Sequence, residues 1–206
     1  TVWKADLGKL GLADLAGTSG NFHTGWNCAN GNRTELFFGG NAMTIARHPN
    51  KANGSATWQY LRQGTTITPT SFDAGTDDTT GGEPVPSPAP WATDAKAGHL
   101  WVHGFWSWDW ADSFAKVEHI DSNGTVIVAA PPQYGLKRGS RYMFVNGRSL
   151  LDAAGEYFID STEQKLYFIP PNGEDLSQPT ASDQGAFLSK EEHAHSMNGA
   201  SSIVLH

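Results

Sequence analysis

Four tryptophans, Trp101, Trp106, Trp108 and Trp110, crowd into one short stretch that also carries His103, Asp109 and Asp112. Indole faces stack on the apolar C–H faces of sugar rings, and imidazole or carboxylate groups beside them hydrogen-bond sugar hydroxyls. These seven residues are the candidate glycan or interdomain contacts. Read as a strand of period two, Trp106, Trp108 and Trp110 share a face with Leu100 and Val102. His99, Trp101, His103, Phe105 and Asp109 share the other. A sandwich strand buries one face, which favours a buried Trp row and leaves Trp101, His103 and Asp109 for contact.

Two pairs of carboxyls follow, Asp109 with Asp112 in WDWAD and Asp152 with Glu156 in LLDAAGEYF. Glycoside hydrolysis needs two carboxyls about 5 Å apart for retention, or about 6.5–9.5 Å apart for inversion. Sequence spacing establishes neither. Asp152 and Glu156 read first as turn caps or partners of Arg148 or Arg141, so no catalytic residue is assigned. Asp73, Asp77 and Asp78 offer calcium-type oxygen ligands without EF-hand spacing, and His193, His195 and His206 lack a zinc arrangement. The expectation is no metal and no cofactor, with calcium the one ion the loop chemistry permits. No phosphate loop, nucleophile elbow or Cys–His pairing occurs.

The elements that must position these groups are β almost throughout. Glu35–Phe38, Gly39-Gly40-Asn41 and Ala42–Arg47 form one expected hairpin. Val117–Ile120, Asn123-Gly124 and Thr125–Ala129 form a second. Asn146-Gly147 marks another turn, and Glu156–Asp160 with Lys165–Ile169 flanks a polar loop at 161–164. Ala5–Ala16 carries apolar spacing for a helical turn or two. Residues 64–90, rich in Thr, Gly, Asp and Pro, read as a long surface loop. A polar tail at 172–199 returns to a final strand at 200–206. The fold expected is a single all-β domain over 1–206, an antiparallel β-sandwich or partly open barrel with long loops.

Bulk properties narrow the function classes. Hydrophobic residues make up 38% and charged residues 17%, with 23 Gly and 11 Pro, which describes a folded, loop-rich chain. A net charge of −7 argues against nucleic acid as a partner; Lys137-Arg138 with Arg141 reads as a turn and a strand start. No apolar run reaches the ~18 residues of a membrane helix. The chain opens on Thr1-Val2-Trp3, as a processed or excised product would, and its single cysteine, Cys28, reads as a loop thiol. Sequons at Asn32, Asn53 and Asn123 permit an extracellular glycoprotein.

Four segments carry a resemblance: VWKADL (Val2–Leu7), ELFFGGNAMTIARHPN (Glu35–Asn50), HGFWSWDWADSFAKV (His103–Val117) and LLDAAGEYFIDSTEQKLYFIPP (Leu150–Pro171). In this order they resemble a β-rich module found in extracellular right-handed parallel β-helix proteins, many of them glycoside hydrolases. In that family the module is inserted near the start of the β-helix and packs over its sugar-binding face. ASSIVLH (Ala200–His206) resembles the re-entry into the helix coils, where the family's catalytic carboxylates lie. The resemblance therefore implies a non-catalytic accessory module that binds or caps glycan beside a parallel β-helix glycosidase. The alternative is a structural glycoprotein that adds strands, Val2–Leu7 and Ser202–His206, to copies of itself in a fibre or coat.

Overall fold

The computed structural model describes residues 1–13, 34–50, 59–77, 82–85, 89–171 and 185–189. Cys28, Asn32, Asn53, Asp78, His193, His195, His206 and the expected strand at 200–206 lie outside them. The first strands are β1 (Trp3–Asp6), β2 (Leu36–Phe38), β3 (Asn41–Ala42), β4 (Thr44–Ile45) and β5 (Arg47–His48). Next come β6 (Leu61–Arg62), β7 (Thr66–Thr68), β8 (Ser71–Asp73), β9 (Thr76–Asp77) and β10 (Glu83–Pro84). Helix α1 (Ala89–Lys96) precedes β11 (Trp101–Gly104), β12 (Ser113–Ile120), β13 (Thr125–Val128) and β14 (Arg141–Val145). After a 3-10 turn at Arg148–Leu150 follow β15 (Glu156–Asp160), β16 (Lys165–Phe168) and β17 (Ala186–Leu188).

These strands build three sheets, and none closes on itself. The largest runs β10-β9-β6-β14-β11-β12-β13-β8-β7, with β5 also paired to β14. A four-stranded sheet runs β1-β16-β15-β4, and a three-stranded sheet runs β17-β2-β3. Pairing is antiparallel throughout except between β15 and β4. The all-β, antiparallel expectation holds.

Alternation along β15 explains how the sheets stack. Phe158 points into the core of the large sheet, with Leu61, Phe72, Trp106, Tyr142 and Phe144. Its neighbours Tyr157 and Ile159 point the other way, onto Leu36 and Phe38 of β2. The four-stranded sheet is therefore the middle layer, and β15 is buried on both faces, which is why Tyr157-Phe158-Ile159 reads as an unbroken apolar run. β14 repeats the device: Tyr142 and Phe144 enter the main core, while Met143 and Val145 join Phe114 in a small cluster on the opposite face. The segment 34–50 alone contributes strands to all three sheets.

Two turns form where turn chemistry demanded them, but the first hairpin is shorter than expected. Its returning strand is only Asn41–Ala42, and the rest of the expected arm, to Arg47, passes to the other two sheets as β4 and β5. Gly39 and Gly40 have φ of 58° and 74° between β2 and β3, and Gly124 has φ of 88° between β12 and β13. The β15–β16 hairpin also forms, with Gln164 at φ 53°. Asn146 turns at φ 60° into the 3-10 turn and donates Nδ2–H to the His99 carbonyl at 2.8 Å.

Four expectations are corrected. Residues 64–90 hold β7 to β10 and the start of α1, and Phe72 and Ala74 within them are buried. Strands of two or three residues are too short to show alternation, and β8 gains its ladder from β13. The 172–199 tail contains β17, which pairs with β2. Ala5 and Asp6, expected in a helical turn, belong to β1, because β16 supplies a ladder along its length; one edge of Val2–Leu7 is thereby occupied within the chain. Finally, β11 stops at Gly104, so the Trp row is not one strand face.

Candidate functional site

The stretch 105–112 is a pinned loop between β11 and β12. Phe105 donates its amide to the Arg141 carbonyl at 2.9 Å, and the Ser140 hydroxyl donates to the Trp106 carbonyl at 2.8 Å. The Ser107 hydroxyl donates to the Tyr134 carbonyl at 2.7 Å. Trp106 turns inward, 2% exposed, donating Nε1–H to the Ser113 carbonyl at 3.1 Å and packing on Phe72 and Tyr142. Trp108 and Trp110 turn outward, 53% and 65% exposed. Parity thus held for Trp106 with Leu100 and Val102 and failed beyond it, because a loop does not keep period two.

The seven sequence-predicted residues separate into three places. Trp108 and Asp109 line a cleft of about 390 Å³ with Arg62, Lys137, Arg138 and Arg141. Trp110 does not line it; its ring lies 5.5 Å from that of Tyr134, which is also exposed. Trp101 and His103, half-buried on β11, face the small cluster of Phe114, Met143 and Val145. His103 stacks on Phe114 at 4.3 Å and holds Asp112 at 2.6 Å through Nε2. It lines a larger groove of about 450 Å³, floored by Phe114, Met143 and Val145 and edged by Glu35 and Arg47. We favour the smaller cleft as the candidate site. Its walls gather four cations and an exposed indole, with Lys137 and Arg138 exposed, whereas in the groove Arg47 is buried and donates to the Pro49 and Gln59 carbonyls at 2.8 and 2.7 Å.

Sequence reasoning set the cations aside as a turn and a strand start. Lys137 and Arg138 do occupy a turn, closed by the Ser140 amide on the Lys137 carbonyl at 3.1 Å, and Arg141 does begin β14. What brings Arg62 to them is the β6–β14 ladder, in which Arg62 and Arg141 are direct partners. Arg141 is fixed between Phe105 (4.3 Å) and Tyr60 (5.1 Å) and pairs with Asp109 at 3.0 Å. The Lys137 ammonium lies 5.9 Å from the centre of the Trp108 ring.

The remaining carboxyls do structural work. Glu156 is buried and accepts the Asp152 and Ala153 amides at 3.2 and 3.1 Å, so it caps its turn and pairs with neither Arg148 nor Arg141. Burial raises its pKa to about 7, against the opposing pull of those amides. Asp73 accepts the Gly75 amide at 2.8 Å, and Asp77 is buried 3.5 Å from His48. Among the described residues no group of three His, Cys, Asp or Glu side chains is placed to hold a metal ion. Asn123 is exposed, and its Oδ1 accepts the Thr125 amide at 3.1 Å.

No protein-family model matches the chain, and no curated protein matches it. A solved structure described as a glycoside hydrolase is similar over 70% of this chain, at 15% sequence identity and a TM-score of 0.47. The chain spans 25% of that structure's length. The fold and the site together define an all-β domain with an aromatic and cationic cleft.

Proposed function

We propose that the chain is a non-catalytic carbohydrate-contact module, extracellular, that binds or caps glycan beside the parallel β-helix of a glycosidase. The β-helix context rests on the four ordered sequence segments. The observation that carries the sugar contact is the exposed aromatic surface of Trp108 and Trp110 on a loop pinned from both sides, with Tyr134 of the neighbouring segment against Trp110. Burying a large apolar side chain stabilises a fold by about 1.5–3 kcal/mol, and this loop forgoes that twice. Clustered exposed aromatics of this kind mark contact surfaces, and a pinned loop loses little entropy when a ligand arrives.

The test is binding of the folded chain to an array of immobilised neutral and acidic glycans. Trp108→Ala and Trp110→Ala should each weaken binding at least about tenfold, the scale of one aromatic stacking contact, with the unfolding transition unchanged. A folded chain that binds no glycan on the array overturns the reading.

A further inference from the structure

The cleft beside Trp108 carries a charge opposite in sign to the chain. Against a net charge of −7, four cations (Arg62, Lys137, Arg138 and Arg141) line it with one carboxylate, Asp109. Arg62 and Arg141 are direct cross-strand partners, an arrangement of like charges that opposes sheet formation. Asp109 engages Arg141, and Asp109 is itself 86% exposed, so the pair is open to solvent and to exchange. Lys137 and Arg138 are exposed on their turn, and the Arg138 guanidinium has no ion-pair partner among the described residues. Lys137 and Arg138 thus place accessible positive charge beside an exposed indole, a setting that suits an anion.

We propose that this cleft binds acidic saccharides. The Trp108 face takes a sugar ring, and Lys137 and Arg138, with Arg62 and Arg141 behind them, take its carboxylate or sulfate. Guanidinium groups meet planar carboxylates with two parallel hydrogen bonds, while the lysine acts as a point charge. A cleft of about 390 Å³ is the size of a small-ligand site and suits a sugar unit rather than a long polyanion, which the chain's net negative charge would repel. The proposal rests on the carbohydrate reading and names the substrate class of the same site.

Calorimetry on the folded chain separates the two. The probes are polygalacturonate oligomers, the same oligomers fully methyl-esterified, carrageenan oligomers carrying sulfate only, and oligothymidylate. The free acid should bind about tenfold tighter than its ester, the scale of one charge-assisted hydrogen bond, and the preference should shrink as salt rises. Lys137→Ala with Arg138→Ala should abolish the preference while the ester still binds; both residues are exposed, so the fold survives. Carrageenan binding without polygalacturonate binding assigns the anion as sulfate and supports the proposal. Equal binding of acid and ester, lost in Trp108→Ala, overturns acid selectivity and leaves the carbohydrate reading intact. Binding of neither acidic probe, or equal binding of oligothymidylate, overturns the proposal.

Discussion

Trp106 closes over Gly104 so tightly that a β-carbon on the glycine would stand 2.8 Å from the indole ring. Gly104 is the last residue of β11, and beyond it the chain runs through the loop on which Trp108 and Trp110 are exposed. Trp106→Ala should cost about 3–5 kcal/mol, as the truncation of a buried aromatic does, whereas Trp108→Ala should change stability by less than about 1 kcal/mol. Urea denaturation of the two variants checks this. Equal losses would place Trp108 in the core.

Glu156 makes stability fall with rising pH. Its folded pKa of about 7 lies above the ordinary 4.5, so between those values the folded state holds a proton that the unfolded chain has lost. The stability it contributes is complete below the unfolded value and is lost as pH rises through the folded one, by on the order of 2–3 kcal/mol in total. His48 works in the opposite sense, since burial lowers its pKa and favours folding at higher pH. The difference in unfolding free energy between wild type and Glu156→Gln isolates the carboxyl. It should decline from about pH 4.5 to about 7 and then level; a flat difference would show that Glu156 titrates normally.

Arg47 is buried and donates to the Pro49 and Gln59 carbonyls, and burial lowers its pKa to about 10, so it stays charged at neutral pH. Arg47→Lys keeps a charge but cannot reproduce the planar fork. It should lose about 2–3 kcal/mol, the range for leaving a buried polar group unsatisfied, in a thermal or urea melt. A lysine variant as stable as wild type would show that the charge alone suffices.

Gly75 has φ of 78°, and a β-carbon there would lie 1.9 Å from the Arg62 carbonyl oxygen. Gly75→Ala must therefore displace the strand that carries Arg62. It should destabilise the chain by more than the ~1 kcal/mol typical of an ordinary substitution, and weaken any anion binding in the adjacent cleft. Unchanged denaturation and binding curves would count against that coupling.

Where a local signal decides the structure, the sequence was readable. Gly39-Gly40 and Asn123-Gly124 impose turn geometry by themselves, and the parity of Trp106 with Leu100 and Val102 predicted its burial. The exposed half of the row was not readable, because β11 ends at Gly104 and period two does not continue through the loop beyond it. Residues 64–90 hid their strands because β8 takes its partner from β13, remote in sequence, and β9 pairs with β6, which is itself laid on β14. The cation cleft was hidden for the same reason: nothing near Lys137 announces that Arg62 will stand beside it.

The short run from Leu36 to His48 gives a strand pair to the outer sheet, then a strand to the middle sheet, then one to the large sheet. It works as a running stitch through three pieces of cloth. Tension on any one layer is passed along this thread to the other two, so the layers cannot peel away in turn. The domain should resist pulling up to one threshold and then give way in a single event.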